Sequence, residues 1–266
     1  MCLILLATDA DPRYSLIVAA NRDEAYDRPS AAAGFWADQP DVYGGRDLEQ
    51  GGSWLAVAKT RRFAAVTNYR LAEPRGARQH SRGDLPREYV TGDVDAKTYL
   101  ERISGRAGEY NGFSLIVGAP ERLYFFSNHG AGIQKITAGV HGLSNHLLDE
   151  PWPKVQRGIT VLTGLLSAAE DALIAQLFAL LADRTPAPDT LLPTTGVPLQ
   201  RERDLSAAFI AGDTYGTRAS TVVLVSRFGE VFFVERTYGR GGAALGTSER
   251  RFAIEPLTSS STAARA

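Results

Sequence analysis

Blocks of apolar residues broken by polar, turn-forming stretches predict most of the regular elements of this chain. Two short apolar runs come first, Cys2 to Ala7 and Tyr14 to Ala20, with Asp9-Ala-Asp-Pro-Arg13 between them. Such a break between such runs predicts a β-hairpin. The second run ends in Asn21-Arg22-Asp23-Glu24. A hairpin of this length sets the start of its first strand beside the end of its second. Cys2 is therefore expected within side-chain reach of Asn21, Arg22 and Asp23. Neighbouring residues on a regular strand face opposite ways, so Arg22 and Asp23 can both point at Cys2 only if the strand ends or bulges there.

Farther along, Gly44-Gly45 and Gly51-Gly52 precede Ser53, Trp54 and the apolar run Leu55 to Ala58, which predicts a tight loop feeding a strand. That loop is either a plain turn or a place where backbone meets a ligand closely. Arg62 to Asn68 predicts a strand, and residues 85–107 predict helix with Asp93 or Asp95 as an N-cap. Phe113 to Gly118, Leu123 to Ser127 and Gly132 to Ala138 read as an antiparallel meander, with Val140 to Ser144 as a further strand. Pro153 starts an amphipathic helix reaching about Leu166, and Glu170 to Asp183 forms a second. The four prolines of 184–204 predict an irregular crossing. Ser220 to Ser226 and Val231 to Thr237 form a hairpin about Gly229. The tail from Thr258 is low in complexity and expected to be disordered, which leaves one domain over residues 1–257.

Composition narrows the classes. The chain has 44% hydrophobic and 22% charged residues, ordinary for a globular protein. A net charge of −1 gives no electrostatic reason to bind nucleic acid or an anionic membrane surface. No stretch approaches the roughly 20 apolar residues of a transmembrane helix, so no integral membrane segment is expected. The start of the chain lacks the basic n-region of a secretory signal. One cysteine excludes an intrachain disulfide and any Cys-rich zinc site, which suits a reducing compartment and a cytoplasmic protein. His80, His129, His141 and His146 share no metal-ligand spacing, so no metal site is expected.

The chemistry at Cys2 follows from two reference values. Removing Met1, expected before a small residue, gives Cys2 a free α-amine with an unperturbed pKa of about 7.7–8.0, close to a thiol's at about 8.5. A base poised near neutral pH on the nucleophile's own residue can take the thiol proton without a histidine. Asp23 could orient that amine, and Arg22 could favour the thiolate or bind a substrate carboxylate. An asparagine at a strand end, as Asn68 is, can donate its amide to an oxyanion or cap a turn.

Several short motifs recur in a fixed order: Met1-Cys2, Asn21-Arg22-Asp23-Glu24, Gly51-Gly-Ser-Trp54, Thr67-Asn68-Tyr69-Arg70, Ser81-Arg82-Gly83, Asn111-Gly112-Phe113, Ser144-Asn145 through Trp152-Pro153-Lys154-Val155, and Tyr215-Gly216-Thr217-Arg218. In this order they resemble the NRDE family, the transport and Golgi organisation protein 2 family, over roughly residues 1–240. The resemblance implies an α+β fold, a four-layer αββα sandwich of mainly antiparallel sheets like that of N-terminal-nucleophile (Ntn) hydrolases. It also implies links to haem trafficking and to acyl-lipid or acyl-CoA handling. Under it, Asn145 becomes the better oxyanion candidate and Arg218 a functional arginine.

Two functional readings stay open at this point. One is a cysteine-nucleophile hydrolase of an amide or ester needing no cofactor, with Cys2, Arg22, Asp23, Asn145 and Arg218 catalytic and Asn21, Asn68, Arg70 and Trp54 contacting substrate. The other is a non-catalytic carrier of haem or an acyl-CoA-like amphiphile on the same scaffold. Haem needs only one or two axial groups, such as His, Cys or Tyr, and so survives the lack of a metal-ligand cluster. Either reading has a small-molecule or amphiphilic ligand, and neither fixes an oligomeric state.

Overall fold

The structure is a computed structural model that describes residues 2–71 and 79–256. The predicted opening hairpin is present as β1 (Cys2–Thr8) and β2 (Tyr14–Ala25), and β2 continues through the Asn-Arg-Asp-Glu run. There follow β3 (Ser30–Trp36), β4 (Gln39–Asp47), β5 (Leu55–Ala58) and β6 (Arg62–Asn68). Helices α1 (Asp84–Thr91) and α2 (Ala96–Gly105) come next, α2 capped by Asp95, whose carboxylate accepts from the Lys97 and Thr98 N–H groups. Then come β7 (Phe113–Ala119), β8 (Arg122–Ser127), β9 (Gln134–Lys135) and β10 (Gly139–Leu143). Helices α3 (Pro153–Leu165), α4 (Glu170–Leu181) and α5 (Leu199–Asp204) precede β11 (Tyr215–Ser226), β12 (Glu230–Tyr238) and β13 (Ala244–Ala253).

These strands make two antiparallel sheets. The first has the order β10-β1-β2-β11-β12-β13, the second β3-β4-β5-β6-β7-β8-β9. Three apolar clusters hold four layers together. Ile4, Leu6, Leu16, Val18, Phe63 and Phe233 lie between the sheets. Leu3, Leu5 and Ile17 pack against Val155, Leu162 and Leu177 of α3 and α4. Ala64 and Leu115 pack against Leu85, Tyr89, Leu100 and Ile103 of α1 and α2. The result is an αββα sandwich. Because β1 is covered on both faces, its sequence is continuously apolar rather than alternating.

Several expectations are corrected. Gly44 and Gly45 lie inside β4, not in a loop. A Cβ on Gly44 would stand 2.5 Å from the Leu55 carbonyl oxygen, so the pairing of β4 with β5 requires glycine there. Gly52 is needed for a similar reason, its backbone lying against that of Gly83. The helical stretch over 85–107 is divided into α1 and α2, with the second starting at the Asp95 cap. The strand expected over 132–138 shrinks to Gln134–Lys135. β13 carried no apolar alternation, since nearly all its residues are exposed and charged or small. It closes the first sheet with an edge that carries Glu249, Arg250 and Arg251, which discourages further strand pairing. The tail from Thr258, like Met1, lies outside the described residues.

β10 does not join the sheet of β7, β8 and β9 but pairs with β1, Leu6 opposite His141 and Ile4 opposite Leu143. That crossing carries Ser144 and Asn145 from one sheet to the beginning of the other.

Candidate active site

Strand alternation decides which side chains meet. On β1, Leu3 and Leu5 face the helices while Ile4 and Leu6 face the other sheet, so Cys2 faces the space between the sheets. Arg22 is directly opposite Cys2 in the β1–β2 pairing and faces the same way. Asp23 and Asn21 point to the helix side. The bulge expected near Arg22 and Asp23 exists, but on the neighbouring strand: Thr217 pairs with Asp23 and Ala219 with Arg22, leaving Arg218 as the extra residue. β2 stays regular, so only Arg22 sends its side chain to the thiol. Asp23 reaches it through its backbone, whose N–H donates to the sulfur.

The nitrogen of Cys2 is held separately. It donates to Asn145 Oδ1 at 3.0 Å, and Asn145 Nδ2 donates to the Asn68 carbonyl at 3.1 Å. Ser144 Oγ donates to the Cys2 carbonyl at 3.1 Å. Asn145 has φ +56, a left-handed conformation that asparagine tolerates better than most residues. Asn145 is thus a fully buried clamp between the Cys2 nitrogen and the end of β6. Asn68 is placed differently. Its side chain lines the cleft that holds Cys2 and makes no hydrogen bond among the described residues.

That cleft has about 100 Å³ of open volume, enough for a few water-sized groups at about 30 Å³ each. Its walls include Arg22, Trp54, Val66 and Asn68. They also include Ser53, from the Gly51-Gly-Ser-Trp54 motif, and Ser81, Arg82 and Gly83, which form a second motif. The two motifs meet physically: the Ser53 N–H donates to the Gly83 carbonyl at 3.0 Å.

Electrostatics at the site are dominated by burial. Burial pushes the Cys2 thiol pKa up, opposed in part by Arg22 and by the Asp23 N–H. Burial also raises the Asp23 carboxyl, opposed by Lys154, by Arg22 and by Thr217 Oγ1, which donates to Asp23 Oδ1 at 2.7 Å. Lys154 itself is buried on α3, its Nζ donating to the Leu205 carbonyl at 2.9 Å. Desolvation lowers its pKa to about 8 although Asp23 pulls the other way. Lys154 was missed because it sits in a helical apolar stripe, where a lone lysine reads as a solvated interruption.

Other predicted site residues lie elsewhere. The Asn21 amide is committed to the helix layer, Nδ2 donating to the Leu181 and Ala208 carbonyls at 2.8 and 2.7 Å. Arg70 forms a buried ion pair with Glu202 and stacks over Trp152 at 4.4 Å. The structure does not bring Asn21 or Arg70 into the Cys2 cleft. Arg218 donates to the Ala25 and Arg28 carbonyls at 2.8 and 2.9 Å and lines an adjoining chamber instead.

Haem fits poorly. The Cys2 cleft is too small for a macrocycle. The wide groove beside α5, about 740 Å³, has no histidine in its wall, and its one tyrosine, Tyr215, donates to the Asp23 carbonyl at 3.0 Å. No group of three or more His, Cys, Asp or Glu residues suited to a metal ion occurs among the described residues. No helix there is long and apolar enough to cross a membrane.

The fold is that of the Ntn hydrolases, two stacked antiparallel sheets between helical layers. A penicillin V acylase from Agrobacterium tumefaciens superposes with a TM-score of 0.50 at 10% identity, covering 96% of this chain and 86% of that one. An N-acylethanolamine-hydrolyzing acid amidase ortholog from Caenorhabditis elegans gives 0.47 at 11% identity, covering 84% and 92%. The Transport and Golgi organisation 2 family model matches residues 1–240, and the chain belongs to that family. Transport and Golgi organization protein 2 homologs from Bos taurus and Homo sapiens are 38% and 34% identical, each match covering 89% of this chain and 93% of the relative. The Drosophila melanogaster protein is 31% identical, covering 89% and 92%.

Proposed function

We propose that the protein is a cysteine-nucleophile hydrolase of an amide or ester bond, activated by removal of Met1. The observation that carries the reading is the joint placement of Cys2. Its side chain lines a cleft opposite Arg22, and its nitrogen is held by Asn145 Oδ1 at 3.0 Å. Once Met1 is gone, that nitrogen is an amine already aligned beside the thiol.

The steps balance without a cofactor. The amine takes the thiol proton, and Sγ attacks the substrate carbonyl as Arg22 supports the developing thiolate. The carbonyl oxygen gains charge and is met by the Asn68 amide. The C–N or C–O bond then breaks, and the leaving group takes the proton from the Cys2 ammonium. Water, deprotonated by the same amine, cleaves the thioester and restores the thiol. Asn145 accepts from the amine throughout, so its role is to position that base rather than to donate to the oxyanion. A lone cysteine kept as a thiol fits a reducing compartment, and the reading places the protein in the cytoplasm.

The experiment is a burst assay with chromogenic acyl amides and esters on the Met1-free protein. The reading expects product stoichiometric with enzyme and no burst in Cys2→Ala. Equal product release by the two proteins would overturn it.

A further inference from the structure

Arg22 is 7% exposed, and its Nη1 is buried with no hydrogen-bond partner among the described residues. Leaving a guanidinium N–H so buried and unpaired is costly unless a ligand supplies the acceptor. Arg22 and Trp54 are shared walls of two spaces. One is the Cys2 cleft, and the other is a chamber of about 220 Å³ at the same end of the inter-sheet layer.

The chamber is suited to an anion. Beside Arg22 it is walled by Arg46 and Arg218, with Glu235 as the one carboxylate. Glu235 is already engaged, accepting from the Ala33 N–H at 2.7 Å and from Thr221 Oγ1 at 3.0 Å, and burial raises its pKa toward the neutral form. Arg46 pairs with Asp38, and Arg218 is held by backbone carbonyls. The Trp54 indole N–H makes no hydrogen bond among the described residues. A Cβ added to Gly45 would lie 3.4 Å from Trp54 Nε1 and 3.8 Å from Glu235 Oε2, so the missing side chain at Gly45 keeps that corner open. Ala31, Ala32 and Leu245 supply an apolar mouth.

We propose that this chamber is the acid-binding half of the substrate site. The substrate is an amide or ester carrying a carboxylate, which rests on Arg22 Nη1 and the Trp54 N–H while the scissile carbonyl reaches Cys2. One unpaired guanidinium donor and one indole donor match the two oxygens of a carboxylate. The assignment of the scissile carbonyl rests on the hydrolase reading above, whereas the carboxylate site does not.

The test uses the full chain labelled with ¹⁵N, whose three tryptophans give three indole signals. N-acetyl-β-alanine and its methyl ester are titrated in turn, with the Trp54 signal assigned through Trp54→Phe. The acid is expected to move the Trp54 signal and the ester to leave it in place. Arg22→Gln is expected to weaken binding about tenfold or more. Ala32→Phe, at an exposed position of the mouth, is expected to remove the response, with the Trp36 and Trp152 signals unchanged to report an intact fold. Equal shifts with acid and ester, or a response that survives Ala32→Phe, would overturn the proposal. Binding of the acid without hydrolysis of any carboxylated amide would leave the chamber standing and remove the hydrolase reading alone.

Discussion

Asn145 Oδ1 accepts the Cys2 N–H at 3.0 Å across 143 residues of sequence, which ties the turn after β10 to the start of β1. The left-handed backbone of Asn145, at φ +56, aims its amide at both the Cys2 nitrogen and the Asn68 carbonyl. Replacing it tests the clamp. Asn145→Gly and Asn145→Ala both lose two buried hydrogen bonds, at about 1–3 kcal/mol for each group left unsatisfied. Only alanine adds strain at positive φ, of about 1 kcal/mol or more. Urea denaturation should therefore rank wild type above Asn145→Gly and Asn145→Gly above Asn145→Ala. Equal stability of all three would mean that the clamp carries no load.

Asn68 is expected to act on the reaction rather than on the fold. Its amide lines the cleft without a hydrogen-bond partner among the described residues. Removing an oxyanion donor of this kind lowers kcat by about 10²–10³-fold. Asn68→Ala should show that loss with KM little changed and an unaltered melting temperature. A drop in stability matching the drop in rate would assign Asn68 to structure instead.

Lys154 gives a pH signature. Its pKa is about 8 in the folded chain, well below a lysine's ordinary 10.5. Between those values the unfolded chain binds more protons, so this group makes stability rise as pH increases from 8 toward 10.5. Below pH 8 the ammonium is charged in both states and its full desolvation cost is present. Across the whole window the effect is on the order of 3 kcal/mol. Lys154→Met should abolish this rise, read as the difference in urea midpoints between the two proteins at pH 7.5 and 9.5. Parallel pH profiles would contradict a buried ammonium.

The thiol provides a second one. Burial raises the Cys2 pKa above its ordinary value, so the reactive thiolate is scarce at neutral pH. Cys2 is the chain's only cysteine, so alkylation by iodoacetamide, followed by mass, reports it alone. With Met1 retained, its rate should lag a free thiol at pH 7 and rise only at higher pH than the free thiol's does. A rate already at its plateau at pH 7 would contradict the assigned burial.

Much of the fold is written locally. β1 and β2 were legible because a strand covered on both faces must be apolar at every position, and Asp9 to Arg13 could only be a turn. α3 and α4 followed from apolar spacing and Pro153. The destination of β10 was not legible, since strand order depends on which edge is left open and no local pattern records it. β13 was hidden by its exposed, charged edge. At the site, the pairing of Cys2 with Arg22 was legible because register in a hairpin is arithmetic. Lys154 and Glu235 were not, because their burial is set by elements far away in sequence. The hydrogen-bond partners of Asn68 and Asn145 were not legible for the same reason: strand ends can be read, but not what each amide meets.

The central claim is that Cys2 becomes an N-terminal residue and takes an acyl group on its sulfur. Intact mass of the purified protein, before and after brief incubation with an activated acyl amide, tests both halves. The expected result is a chain lacking Met1 that gains a single acyl adduct, with no adduct in Cys2→Ala. A chain that retains Met1, or a Met1-free chain that never acquires the adduct, would contradict it.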